Sequence, residues 1–228
     1  MKWHHEHLPE PLPADPLAVA TSWLAEATAK GTQPNPNAMV LATVNTAGQP
    51  SARVVLCKQI TPDPGYLSFY TNYHSRKGRE LESNPRAAIV MHWDALRRQL
   101  RVEGRVVQES ALESDVYFAT RNWRSRLGAW ASQQSEPIAT RGELLRNVAK
   151  VALRFALPAP VSDEDAPDPG LRIARPPHWG GYLLWAEAVE LWVEGSARIH
   201  DRARWSRTLT ARDGGFDTGD WSATRLQP

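Results

Sequence analysis

AMVLATVNTAGQPSARVVLCK, residues 38–58, is the stretch on which the fold turns. From Ala38 the sequence takes on the period of strands, first through AMVLATVN and again through SARVVLCK. Alternation with period two puts successive side chains on opposite faces, as a strand with one buried side requires. Turn residues at Thr46–Gly48 separate the two runs, so they read as neighbouring strands. After the breaker TPDPG, YLSFYT at 66–71 supplies a third.

Working outward, a helix precedes this block. Asp15 can cap it, Pro16 suits its first turn, and Leu17, Ala20, Trp23, Leu24 and Ala27 recur at helical spacing until Gly31 ends it. Downstream, SRKGRELESNP reads as a helix, AAIVMHW as a strand and RRQLRVEGRVVQ as a long strand with apolar residues at alternate positions. A helical region from about 111 to 155 follows, broken near 121–124 and again around Pro137. The chain then returns to strands at GGYLLW, AVELWV, ARIHDR and WSATRL. Helix, strand block, helices and strands, without βαβ alternation, predict an α+β, mainly β architecture: an antiparallel, Greek-key-like barrel or sheet with helices packed on it. Residues 1–14, rich in Pro and His, read as a loosely held arm, and 15–228 as one domain. The segment 156–177, with six prolines and four acidic residues, reads as an inserted surface loop.

Composition narrows the function. The chain has 228 residues, and 27 basic against 25 acidic side chains give a net charge of +2, too balanced to argue for nucleic acid or an anionic membrane. Its single cysteine, Cys57, allows no intrachain disulfide and no cysteine zinc cluster. MKWHHEHLPEPLPADP contains no apolar h-region, and no apolar run reaches the ~18 residues of a membrane span. These features predict a cytoplasmic protein. Ten tryptophans suit aromatic pocket walls or a large interface, and core packing accounts for them equally well.

Four constellations could carry chemistry. In FYTNYHSRKGRE a strand ends at Thr71 and a helix starts near Ser75, so Ser75, Arg76 and Lys77 stand where free backbone N–H groups and partial positive charge favour phosphate. A capped helix with exposed basic residues would look the same. In VYFATRNWRSRLGAW, Tyr117, Arg121 and Ser125 fall at i, i+4 and i+8 and would offer a phenol, a guanidinium and a hydroxyl to one anion. In RVVLCK, Arg53 and Lys58 have an odd separation, so an ideal strand would point them apart unless it twists or bulges. In RIHDR an ideal strand would project Arg198, His200 and Arg202 from one face, which suits a solvated surface or an anionic ligand. There is no Walker, GxGxxG or GxSxG pattern and no convincing metal-ligand spacing; His4, His5 and His7 lie on the arm.

Taken in order, LPADPL, AMVLATVNTAGQPSARVVLCK, FYTNYHSRKGRELESNPRAAIVMHW, RRQLRVEGRV, YFATRNWRSRLGAWASQQS, HWGGY, ELWVEGSARIHDR and WSATRLQP resemble the pyridoxamine 5'-phosphate oxidase family from about residue 12 to the C-terminus. The resemblance implies a split β-barrel that binds FMN at the interface of a homodimer. It implies oxidation of pyridoxamine or pyridoxine 5'-phosphate to pyridoxal 5'-phosphate, with O2 as acceptor and H2O2 as product. By resemblance, Arg53, Arg76 and Lys77 hold the FMN phosphate beside Ser75. Leu56, Lys58, Tyr70, Thr71, Gln99, Gln134, Ser135, Trp192 and Arg202 complete the flavin site. Lys58, Tyr117, Arg121 and Ser125 grip the substrate phosphate, and Arg198 and His200 sit against its ring as the catalytic pair. No metal is implied. The arm lacks the Arg-x-x-Tyr element of many members, and Asn122-Trp123 replaces a Pro-containing stretch. A related flavin oxidase acting on a phenazine-type ring, or a non-catalytic FMN or pyridoxal phosphate binder, is the alternative.

Overall fold

The computed structural model describes residues 7–31, 33–157, 170 and 172–228. Helix α1 (Pro16–Lys30) begins where the Asp15 carboxylate accepts the Leu17 N–H and ends at Gly31, whose φ of 58° only glycine adopts cheaply. The strands are β1 (Ala38–Val44), β2 (Pro50–Leu56), β3 (Gln59–Thr61), β4 (Tyr66–Asn72), β5 (Arg86–Trp93), β6 (Arg98–Gln108), β7 (Trp179–Val193), β8 (Asp201–Ser206), β9 (Leu209–Arg212), β10 (Gly215–Thr218) and β11 (Ser222–Leu226). The remaining helices are α2 (Arg76–Ser83), α3 (Ala111–Thr120), α4 (Trp123–Ala131) and α5 (Arg141–Arg154).

Nine strands form one sheet in the order β11-β8-β7-β6-β5-β1-β2, with β4 pairing both β3 and β7. The β1–β2, β1–β5, β5–β6, β7–β8 and β8–β11 ladders are antiparallel, as the non-alternating element order requires. β1 and β2 pair throughout, from Ala38 opposite Leu56 to Val44 opposite Pro50, so the opening hairpin forms as read. β6 buries every second residue from Arg98 to Val106. β2 stands at the end of the sheet order, which explains why alternation there buries nothing and leaves Val54 64% exposed.

The described residues fall into two compact units: those within 7–69, 80–107 and 182–228, and those within 70–79 and 108–181. In the first, the inward residues of β1, β5 and β6, among them Met39, Leu41, Ile89, Met91, Trp93, Leu100 and Val102, are buried, as are Leu17, Ala20 and Trp23 of α1. The Trp23 and Trp93 rings meet edge to face at 6.4 Å. A smaller cluster joins Trp185 to Leu209 and Phe216 of the β9–β10 hairpin. In the second unit Phe118, Trp123, Leu127, Ala152, Leu157, Ile173 and Trp179 make the core.

Four expectations change. GGYLLW and AVELWV are one continuous strand, β7. The breaker region carries a short strand, β3, and β9–β10 form a hairpin around Asp213-Gly214. The arm is held where it is described: Leu8 is buried, its N–H donates to Asp201 at 2.7 Å, and the Pro13 carbonyl accepts the Trp205 indole N–H at 2.8 Å. Finally, ARIHDR is a strand only from Asp201: Ser196–Arg198 make a 3-10 turn, with Ala197 at φ 53° and Arg198 at φ 65°. Period two therefore does not hold across 198–202, and Arg198 shares no strand face with Arg202. Most of the 156–177 loop, residues 158–169 and 171, lies outside the described residues, as do His4 and His5.

Candidate functional site

Within the second unit, the break between α3 and α4 builds a cavity. α3 ends at Thr120 and Arg121 leaves it with extended backbone, φ −72° and ψ 146°. Asn122 then caps α4, its Oδ1 accepting the Arg124 N–H at 2.9 Å. One continuous helix would have carried Arg121 and Ser125 along a single stripe; the break instead turns both into a cavity of about 280 Å³, with Asn72, Gly128, Ser132, Gln134 and Trp179 also in its wall. Asn72, Ser132 and Gln134 also line a second cavity, of about 400 Å³, with His74, Trp130 and His178.

Arg121 is the conspicuous charge. Its guanidinium carbon stands 4.5 Å from the centre of the Trp179 ring, and its Nη1 is buried without a hydrogen-bond partner. Burial pushes its pKa below the usual arginine range, opposed by Tyr117. A guanidinium kept charged with an unused buried donor is a site waiting for an acceptor. Beside it Tyr70, Tyr117 and Trp179 stack nearly parallel: Tyr70 and Tyr117 at 3.9 Å and Tyr70 and Trp179 at 5.5 Å.

Ser75, Lys77, Thr71 and Gln134 come together in the same unit. The Ser75 hydroxyl accepts the Gly78 N–H at 3.3 Å and donates to the Asn72 carbonyl at 2.7 Å, capping α2 while fully buried. The buried Lys77 ammonium donates to Gln134 Oε1 at 2.7 Å, and the Thr71 hydroxyl donates to the same oxygen at 3.2 Å. Gln134 precedes Ser135, a non-glycine residue at φ 76°. Arg76 is exposed.

Sequence reasoning missed Glu109 here. Its carboxylate hydrogen-bonds the Tyr70 phenol, while its Oε2 is buried without a partner. Gly181 makes the space, since a Cβ there would stand 2.2 Å from that oxygen. Burial, aided by Glu113, holds the Glu109 carboxyl above its ordinary value of 4.5, against the pull of the Tyr70 hydrogen bond. Burial and Glu109 also raise the Tyr70 phenol. The folded chain thus binds the Glu109 proton more tightly than the unfolded chain. The stability this lends is complete below pH 4.5 and disappears as pH rises through the raised value. Glu109→Gln should accordingly melt about 2–4 °C above the parent at pH 8, the shift that ~1 kcal/mol gives a chain of this size. Thermal scans should show the gap closing below pH 4.5, and a gap constant with pH would remove Glu109 as the titrating group.

The first unit holds the other sequence-predicted residues in separate places. Arg53 points inward from β2: it donates to the Leu41 carbonyl at 3.1 Å, to the Thr43 and Ser51 hydroxyls, and pairs with the buried Glu80 at 3.3 Å. Lys58 lies beyond the end of β2, which resolves the odd spacing without a bulge, and it is exposed, as is Leu56. Gln99 is half-buried on β6. Arg202 of β8 pairs with Trp192 of β7 across the ladder, and the Trp192 ring meets the His200 ring at 4.7 Å. The Gly195 N–H donates to His200 Nδ1 at 3.2 Å, which leaves Nε2 as the protonated nitrogen of the neutral ring. Arg198 is exposed on its turn.

No three His, Cys, Asp or Glu side chains among the described residues are placed to hold a metal ion, and no described helix is long and apolar enough to cross a membrane.

Comparison with known proteins places this geometry. A structure of PhzG from Burkholderia lata in complex with tetrahydrophenazine-1-carboxylic acid is 29% identical, with a TM-score of 0.78 over 95% of this chain and 94% of that one. A pyridoxamine 5'-phosphate oxidase-related, FMN binding protein of Nostoc punctiforme, 19% identical, shares the fold with a TM-score of 0.67 over 95% of this chain and all of its own. The split barrel expected from the sequence is thus the fold observed. The pyridoxine/pyridoxamine 5'-phosphate oxidase of Cereibacter sphaeroides is 45% identical over 94% of this chain and 95% of its own. Residues 179–228 match the C-terminal dimerisation region of pyridoxine 5'-phosphate oxidase. With residues 25–155 matching the pyridoxamine 5'-phosphate oxidase pattern as well, the chain belongs to the pyridoxamine 5'-phosphate oxidase family.

Proposed function

We propose that the protein is an FMN-dependent oxidase that converts pyridoxamine 5'-phosphate or pyridoxine 5'-phosphate to pyridoxal 5'-phosphate, with O2 as electron acceptor and H2O2 as product, the amine substrate also taking up water and releasing ammonia. It would work as a cytoplasmic homodimer with FMN at the subunit interface. The observation that carries this reading is the Arg121 guanidinium, charged, with a buried unused donor, in a small cavity that also holds Ser125. A phosphate dianion meets that need through charge-assisted hydrogen bonds, far from the carbon that reacts.

In this reading Arg121, Ser125, Tyr117 and Lys58 anchor the substrate phosphate, and the aromatic stack beside Arg121 gives the anchor a rigid wall. Lys77, Thr71 and Gln134, already bonded to one another, fit the phosphate and polar edge of FMN, with Arg53, Ser75, Arg76 and Ser135. Leu56, Lys58, Tyr70, Gln99, Trp192 and Arg202 line the rest of the flavin. The chemistry that FMN would supply when held by these residues is redox, as acceptor of the two electrons the substrate gives up. The protein's task is orientation: Arg198 would cover the substrate ring, and His200, oriented through Nδ1 by the Gly195 N–H, would present its Nε2–H to that ring and hold it by donating a hydrogen bond.

The test is turnover. The yellow protein, given pyridoxamine 5'-phosphate in air, should yield pyridoxal phosphate and an equal amount of peroxide. A colourless protein that takes up no FMN would defeat the flavin reading. A yellow one that oxidises only a reduced phenazine-type ring would put it with PhzG in substrate, and one that turns over neither would leave a binding protein.

A further inference from the structure

We propose that Glu190 is a positioning residue that holds the Arg202 guanidinium for the flavin, an inference that rests on the assignment of Arg202 to the flavin site above. Glu190 lies on β7, its side chain only 3% exposed. Its Oε1 accepts from both Nε and Nη2 of Arg202, at 3.1 and 2.8 Å, and its Oε2 accepts from Arg101 Nη1 at 3.0 Å. The opposite edge of the Arg202 guanidinium donates from Nη1 to the Gln227 carbonyl at 3.0 Å. Arg202 is therefore gripped from two sides, yet its side chain remains 25% exposed, so it is fixed without being sealed in.

The register shows that this pairing is selected rather than given by proximity. Directly opposite Glu190 on β8 is Arg204, and directly opposite Arg202 on β7 is Trp192. Side chains facing one another across a ladder ordinarily pair. Here Arg204 instead turns to Glu103 of β6, donating at 3.1 and 2.8 Å, and so frees Glu190 to reach diagonally to Arg202. The Glu103 carboxyl is held below its usual range by that hydrogen bond to Arg204, against its partial burial. Arg101, Arg202 and Arg204 face Glu103 and Glu190, so three cations share two carboxylates and one positive charge is left over. A buried carboxylate between two guanidiniums is a poor device for stability, since matched apolar side chains would serve as well. It is a good one for holding a guanidinium in one rotamer beside a bound ligand.

FMN release on dilution of the holoenzyme, followed by the recovery of free-flavin fluorescence, tests this without reference to turnover. Glu190→Gln, which keeps the shape and removes the charge, should raise the FMN dissociation constant about 10-fold, and Arg202→Met by at least as much. The double variant should be no weaker than Arg202→Met alone, because Glu190 acts through Arg202. Arg202→Lys, which keeps the charge but cannot make the fork, should behave like Arg202→Met. Additive effects in the double variant, wild-type FMN retention in Glu190→Gln, or rescue by Arg202→Lys would each overturn the positioning role while leaving Arg202 a flavin residue. Wild-type retention in Arg202→Met would instead overturn the assignment of Arg202 itself. The Arg202→Lys comparison keeps the question decidable if Glu190→Gln does not fold.

Discussion

Arg121→Met should lower kcat/KM for pyridoxamine 5'-phosphate by on the order of 100-fold or more, and it should do so without loss of stability. The first half follows from two charge-assisted hydrogen bonds to a dianion, each worth about 1.5–3 kcal/mol. The second half follows from what the native chain leaves undone: Arg121 Nη1 is buried with no partner, and burial already depresses the guanidinium pKa. Met removes that desolvation cost, keeps apolar contact with Trp179 and Phe118, and gives up only the ring contacts at 4.5 and 5.4 Å. The melting temperature should therefore hold or rise while KM for the phosphorylated substrate climbs. A variant that melts well below the parent would show that Arg121 supports the fold, and unchanged kinetics would detach the cavity from the substrate.

Gly104→Ala should fail in the opposite way, by destroying the fold. Gly104 sits in the inward row of β6, between Val102 and Val106, and opposite Ala87 of β5. A Cβ at that position would lie 1.8 Å from the carbonyl oxygen of Trp185 and 2.9 Å from its carbon. Those atoms are backbone in the middle of β7, so no side-chain rotamer relieves the clash, and β6 and β7 would have to separate. The expected cost is above 4 kcal/mol, the range reserved for broken cores, and is read as loss of soluble protein or a collapsed urea midpoint. Gly142→Ala gives the contrast: on α5 its added Cβ would meet nothing nearer than 3.6 Å, and the variant should be as stable as the parent or up to ~1 kcal/mol more so. A Gly104→Ala protein that melts like the parent would refute the close approach of the two strands.

The parts of the fold that sequence revealed are those with a local period. β1, β5 and β6 alternate cleanly because one face is buried, and α1 is bracketed by Asp15, Pro16 and Gly31. RIHDR misled because alternation says nothing of φ: alanine and arginine carry no mark of the left-handed conformations that Ala197 and Arg198 adopt. The β9–β10 hairpin did carry its mark, Asp213-Gly214, the dipeptide that favours a tight turn. Of the cavity, Arg121 and Ser125 were legible from their spacing, as was Tyr117, which stacks on the Trp179 ring, whereas Asn72 and Trp179 join the wall from distant strands and have no local signature. Glu80, Glu109 and Glu190 escaped notice for a related reason. Each is an acid whose importance comes from partners far along the chain, Arg53, Tyr70 and Arg202.

The break between α3 and α4 has an evolutionary consequence. Phe118 on one side and Trp123 and Leu127 on the other are pinned in the core, while Arg121 and Asn122 between them belong to neither helix. Substitutions at the break can therefore re-aim the guanidinium and the Ser125 hydroxyl while the hydrophobic packing stays as it is. A lineage built this way can drift toward new anionic ligands in small steps, because retuning the site does not require refolding the scaffold that carries it.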